Sequence, residues 1–298
     1  MATPDCHSPS RRLVLASVSG FCQGVEHALQ LFDEALRRHG APIHLLHELV
    51  HNRHVTEEMA RRGAVFVSDL DEVPDRSVLL LGAHGVSRRI EEEAGRRRLR
   101  AVLNATCPFV ARLHRLAASL RPDEDLVLYG QPGHPEAIGI IGHAGTERCH
   151  IISGPEDATR LGPLHRPMLL IQTTMSHESA ERVVAAMRGT YPDLRCVTDV
   201  CHASRQRQAA LEQLCREAAA IVVIGSPHSA NANRLVEVAR AHGRRAWLVE
   251  NADSLPPDVW RETSLGLIGG ASVPPDLLLR VRDALLAGGF ATDGNPPD

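Results

Sequence analysis

The sequence is short of several things at once. Of its 298 residues only 5 are Phe, 2 Tyr and 2 Trp, an aromatic content of 3%. Few platforms are left for stacking bases, which argues against single-stranded nucleic acid as a ligand. Charge of one sign is also lacking: 33 basic against 36 acidic residues leave −3, so no basic field advertises a polyanionic partner. No apolar run approaches the roughly 20 residues that span a bilayer. The start, MATPDCHSPSRR, has basic residues at 11 and 12, but Ser17, Ser19 and Gly20 interrupt the apolar stretch a secretory signal would need. A soluble cytoplasmic protein with no nucleic-acid or membrane partner is the expectation. Seven cysteines are an odd number for a chain of this size, so reduced thiols serving as metal ligands or core residues fit better than a disulfide framework.

What is present is ample apolar material, 43% of the chain, punctuated by 23 Gly and 19 Pro, and 17 His. That suffices for two or three compact domains. Strand-like and helix-like segments alternate throughout, which predicts an α/β fold with mostly parallel strands. Strands are expected in Pro42–Val50, Ala64–Val67, Ser77–Leu81, Ala101–Leu103, Asp125–Tyr129, Met168–Ile171, Cys196–Val200, Ala220–Ile224, Ala246–Val249 and Leu265–Ile268. The charged run after Ser87, RRIEEEAGRRR, reads as the solvated face of a helix. The tail from Ala291 reads as disordered.

The stretch VLASVSGFCQGVEHA (14–28) reads as strand, tight turn and helix, with Cys22 in the turn. Cys107 and Cys201 also stand in short polar turns before helical patterns, at separations of 85 and 94 residues. This near-equal spacing suggests three similar α/β domains, over 13-106, 107-200 and 201-285, each giving one cysteine, with flexible termini at 1-12 and 286-298. Cys6, Cys149, Cys196 and Cys215 read as structural thiols. Three thiolates can hold Zn²⁺ with an open position, or a [4Fe–4S] cluster with one iron free of protein ligand.

Polar residues collect just past the strands and just before the helices, where open parallel sheets bind ligands and helix N-termini attract anions. His51, His84 and His134 each follow a strand beside Gly or Asn and suggest a hydrogen-bonding pocket, whereas His39, His44, His177 and His242 read as surface residues. Glu136, two residues after His134, is the best acid candidate. The segment SPHSANANR (226–234) lacks a Walker signature but offers hydroxyls and amides to a phosphate, with Thr173, Thr174 and Ser272 at comparable strand ends.

The pieces GFCQGV (20–25), HELVHN (47–52), AHGVS (83–87), ATCPFV (105–110), GHPEAIG (133–139), QTTMS (172–176), CHASRQRQ (201–208), GSPHSANANRL (225–235) and GGAS (269–272), in this order, resemble the 4-hydroxy-3-methylbut-2-enyl diphosphate reductase family of the methylerythritol phosphate route to isoprenoids. The resemblance runs from about residue 14 to 282. It implies a trefoil of three α/β domains around a central [4Fe–4S] cluster, with Cys22, Cys107 and Cys201 as ligands and one iron open to the substrate hydroxyl. It implies diphosphate contacts from His51, His84, His134, Ser229, Asn231 and Ser272, Thr173 near the substrate hydroxyl, and Glu136 as proton source. It also implies an electron donor such as ferredoxin or flavodoxin, and isopentenyl and dimethylallyl diphosphates as products of a reductive loss of water.

The chain departs from the family at Ser19, where Arg is usual, and at Ala230, where a second Ser is usual. It also reads IGGAS for TAGAS and GIIG for GTxG. Three other readings compete: a paralogue with altered substrate, a zinc-dependent diphosphate hydrolase, and a non-catalytic redox sensor that keeps the cluster. A zinc protein would be colourless and redox-inert.

Overall fold

Strands that read as unbroken apolar runs, such as AIVVI at Ala220–Ile224 and VLLL at Val78–Leu81, are buried along their whole length. This is what parallel sheets covered by helices on both faces require. The computed structural model describes residues 11–198 and 201–292; the first ten residues, Asp199, Val200 and the last six lie outside the described residues. The end of the strand expected at Cys196–Val200 and most of the tail expected to be disordered therefore fall outside the description. Three parallel sheets with intervening helices make an α/β fold.

The chain divides into two compact units, one of Met1–Phe21 with Arg205–Asp298 and one of Cys22–Ser204. The first unit holds a five-stranded parallel sheet in the order Arg245–Val249, Ala220–Ile224, Ser264–Gly269, Arg11–Leu15, Phe290–Thr292. Successive side chains point to opposite faces. Ile221 and Val223 accordingly pack with Leu214 and Leu235 on one side, and Ala220, Val222 and Ile224 with Val259, Val281 and Leu285 on the other.

Two expectations are corrected in this unit. Arg11 and Arg12, placed in a flexible start, open a strand, and Phe290–Thr292, placed in a flexible tail, forms another. The reason is a long-range anchor. The Arg11 guanidinium donates to the carbonyls of Trp260 (2.7 Å) and Gly288 (2.6 Å) and lies 5.0 Å from the centroid of the buried Phe290 ring. The strand at 11–15 pairs with strands of the last third, so that sheet draws on both ends of the chain.

The second unit holds two four-stranded parallel sheets. One runs Ala64–Val67, Ile43–Leu46, Val78–Leu81, Ala101–Asn104; the other runs Cys149–Ile152, Leu126–Tyr129, Met168–Ile171, Arg195–Cys196. The strand at Cys149–Ile152 was not foreseen, because an edge strand that stays half-exposed carries no apolar run. His44 is the other correction: it is buried in the strand Ile43–Leu46, not on the surface, because both faces of that strand are covered. The helix after Ser87 behaves as read, with Arg88–Glu92 and Arg89–Glu93 pairs along an exposed face.

The Arg11 anchor combines two charge-assisted hydrogen bonds with a cation–π contact. Arg11→Ala should lower the unfolding free energy by about 1–3 kcal/mol, read from urea denaturation.

Candidate active site

Each of the three cysteines singled out above begins a helix. Cys22 is the N-cap of Gln23–His39, Cys107 that of Pro108–Ala118 with Pro108 in the first turn, and Cys201 directly precedes His202–Glu217. Backbone N–H groups at such ends lack intrahelical partners and favour a thiolate or another anion. Cys22 and Cys107 converge on Gly24, where a Cβ would lie 2.8 Å from the Cys107 sulfur and 3.9 Å from that of Cys22. Only a residue without a side chain leaves the two sulfurs this space.

Burial pushes the Cys107 thiol up to about 11, backbone N–H groups of Phe109 and Val110 pull it down, and the neighbouring Cys201 and Cys22 push it up again. Thiols so grouped resist ionising together unless a cation shares the site. Cys22, Cys107 and Cys201 are all free of disulfides, as are Cys149, Cys196 and Cys215. The donor set therefore suits a soft, thiolate-binding metal group.

His51, His84 and His134 form one cluster. The His51 and His84 rings stack at 4.4 Å, and His134 meets them edge-on at 6.0 and 5.6 Å. Their placement follows from the strands: His51 and His84 lie past Ile43–Leu46 and Val78–Leu81, and His134 caps the helix Pro135–Gly142. The His134 Nδ1 accepts the backbone N–H of Glu136 at 3.1 Å, which leaves the ring hydrogen on Nε2. Burial, then His51, pulls His134 down to about 4, and burial followed by His51 and His134 holds His84 well below its ordinary range. These two rings are neutral donors at pH 7, and cationic forms would repel one another.

Glu136 sits in the first turn of the same helix, 1% exposed. Its carboxylate accepts the backbone N–H of Thr173 at 2.7 Å on Oε1 and the Thr173 hydroxyl at 2.9 Å on Oε2. Burial raises its pKa to about 7 against the pull of those two bonds. A carboxyl that is partly protonated at neutral pH is poised to give a proton.

In the other unit, Ser229 caps the helix Ala230–Ala241, accepting from the Ala232 N–H at 3.3 Å, so its hydroxyl hydrogen remains available to a ligand. Asn231 Oδ1 accepts the N–H of Ala271 at 3.0 Å and ties this loop to the one carrying Ser272. All three side chains are buried at the carboxyl ends of Ala220–Ile224 and Ser264–Gly269. Ala230, the first helical residue there, can offer only backbone to a ligand, and nothing in the structure explains Ser19.

Two supporting residues escaped the sequence reading. Gln172, fully buried, accepts the N–H of Gln131 at 2.8 Å and donates to Thr174 at 3.1 Å, locking the loop before His134 to the loop of Thr173. Glu48 Oε2 lies 3.2 Å from His51 Nδ1. Both stand inside motifs quoted above, so the signal was there: Gln in QTTMS and Glu in HELVHN.

A family model described as LytB protein matches residues 13–286. The chain belongs to the LytB protein family. Among LytB relatives, a protein of Magnetococcus marinus named 4-hydroxy-3-methylbut-2-enyl diphosphate reductase is 40% identical over 274 residues, covering 90% of this chain and 89% of the relative. One of the same name from Streptomyces coelicolor is 38% identical over 291 residues, covering 95% and 85%. Among solved structures, the E-1-hydroxy-2-methyl-but-2-enyl-4-diphosphate reductase of Plasmodium falciparum superposes with a TM-score of 0.90 at 27% identity, covering 97% of this chain and 94% of that one. No helix among the described residues is long and apolar enough to cross a membrane.

The burial of Glu136 has a measurable cost. With a folded pKa near 7 against an ordinary 4.5, its contribution to stability is complete below about 4.5 and is lost as pH rises through about 7. Glu136→Gln should therefore raise the thermal midpoint relative to the parent at pH 8, and the difference should close by pH 4, followed by calorimetry.

Proposed function

We propose that this chain reduces 4-hydroxy-3-methylbut-2-enyl diphosphate to isopentenyl and dimethylallyl diphosphates, with Cys22, Cys107 and Cys201 holding a [4Fe–4S] cluster. The observation that carries the reading is the buried Glu136 carboxyl, raised to about 7 and paired with Thr173, in the same unit as the three cysteines and the histidine cluster. Its membership of a family of named reductases favours electron transfer over hydrolysis at zinc. The cluster, when bound, supplies electrons and an open iron as Lewis acid.

The remaining work falls to side chains. A diphosphate needs several donors, and the chain contains no lysine to provide them. Neutral His84 and His134, together with His51, Ser229, Asn231 and Ser272, carry the diphosphate contacts in this reading. An anion beside the imidazoles favours their protonated forms, so binding takes up protons and tightens as pH falls. The reaction consumes two electrons and two protons: the C–O bond of the allylic hydroxyl breaks, water leaves, and one C–H bond forms. Glu136 gives a proton to the departing hydroxyl, with the Thr173 hydroxyl between carboxyl and substrate oxygen, and burial keeps that proton from leaking to water. The electrons come from a small donor such as ferredoxin or flavodoxin, in the cytoplasm.

The deciding experiment is anaerobic purification with iron and sulfide counting, a visible and EPR spectrum, and turnover with a reduced donor. A brown protein that releases both products supports the reading, and a colourless protein with bound zinc overturns it. In the same assay Glu136→Gln should cost about 100-fold or more in kcat with the spectrum unchanged. Parent activity should fall as pH rises past about 7, where Glu136 loses its proton. Gly24→Ala should lower iron content, because its methyl takes the space 2.8 Å from the Cys107 sulfur.

A further inference from the structure

Outside the site just described, Glu91, His114 and His143 bring their donor atoms within 4.8 Å of one another. They come from three helices: Arg88–Arg96 carries Glu91, Pro108–Ala118 carries His114, and His143 closes Pro135–Gly142. The set has the composition of a zinc site, yet its geometry is wrong for one. The His114 and His143 rings stack at 4.0 Å with only 17° between their planes. Their nitrogen lone pairs then lie in nearly parallel planes and do not converge on one ion, as tetrahedral ligation demands.

A different role fits every contact. His143 Nδ1 lies 2.9 Å from the Gly139 carbonyl, and its Nε2 lies 3.3 Å from Glu91 Oε2, so each ring nitrogen faces an acceptor. Glu91 Oε1 accepts from Asn104 Nδ2 at 3.0 Å, and Asn104 Oδ1 accepts both the N–H (2.9 Å) and the hydroxyl (2.5 Å) of Thr106. Thr106 is the residue before Cys107, and Gly139 lies one turn after Glu136. The chain of bonds thus runs from the helix of Glu136 to the turn of Cys107.

His114 completes the joint. It is buried, and its Nε2 has no hydrogen-bond partner among the described residues. A Cβ on Gly85 would come within 2.5 Å of its ring, and one on Gly139 within 2.9 Å. The ring is therefore wedged between the residue after His84 and the helix of Glu136.

We propose that His143 is a positioning residue for the reduction, linked to Glu91 and stacked on His114 so that the helix carrying Glu136 keeps its place against the turns of His84 and Cys107. This rests on the reading of Glu136 as proton donor. Neither His143 nor Glu91 would touch substrate; both act through the backbone of Gly139. Burial, then the adjacent His143, pulls His114 down to about 4, so the wedge is a neutral ring.

The test uses the cluster-loaded enzyme and steady-state kinetics on His143→Ala, Glu91→Ala, the double variant and His143→Gln. A small displacement of a proton donor costs rate more than binding. His143→Ala and Glu91→Ala should each lower kcat about tenfold with KM within about twofold and the visible spectrum unchanged. Because both break the link between His143 and Glu91, the double variant should be no worse than the more impaired single one. His143→Gln, whose amide can still donate to Glu91, should recover most of the loss, which a general loss of stability would not explain. Parent-like kcat in His143→Ala, multiplicative losses in the double variant, or no recovery in His143→Gln would overturn the proposal. So would a divalent ion held stoichiometrically by the parent after chelation and lost from His143→Ala. Glu136→Gln runs in parallel: if it stays active the proton-donor reading fails, whereas its inactivity beside a parent-like His143→Ala condemns the link alone.

Discussion

The constraint on which the site depends is the removal of one carboxyl group from water. Glu136 is 1% exposed and, among the described residues, has two donors, both from Thr173. Two bonds do not replace full hydration, so desolvation wins and the acid holds its proton up to about 7. In the proposed reading, water kept away from Glu136 is kept away from the proton that the reduction uses. The loop lock through Gln172, the N-cap at His134 and the packing of Gly139 against His114 hold the segments around it in place.

The same economy governs the charges around it. The imidazoles of His84 and His134 are held neutral, and the thiol of Cys107 is held protonated, by burial and by their like neighbours. A permanently cationic pocket would have cost folding energy and bound any phosphate. Rings that acquire charge only beside an anion couple recognition to protonation. The grouped thiols are the mirror image: in the proposed reading a bound cation would favour their ionised forms. Helix N-termini stand beside His134 and Cys107 and add partial positive charge without formal charge.

Small residues decide how closely these elements approach. Gly24 makes room for two sulfurs, and Gly85 and Gly139 make room for an imidazole. Gly225 and Gly270 both face Ala232, allowing the loops of Ser226–Ser229 and Ser272 to lie side by side. Each of these positions falls in a turn past a strand or in the first turns of a helix, where the functional side chains also sit.

By itself the sequence determined the α/β class and the strand ends that carry polar residues, and it singled out Cys22, Cys107, Cys201 and Glu136 as candidates. Those features are local: apolar runs of four or five residues, a turn, then a helix start, all visible within one motif. The partners of the terminal strands were not legible, because Arg11–Leu15 pairs with residues some 250 positions away and is pinned by Trp260 and Gly288. Nor was the burial of His44, whose strand is buried along its whole length, or the edge strand at Cys149–Ile152. Only the tertiary structure decided the protonation of Glu136 and of the histidines, since desolvation depends on everything packed around a group and not on its neighbours in sequence. The stack of His114 on His143 belongs to the same class, a contact between helices that no spacing along the chain announces.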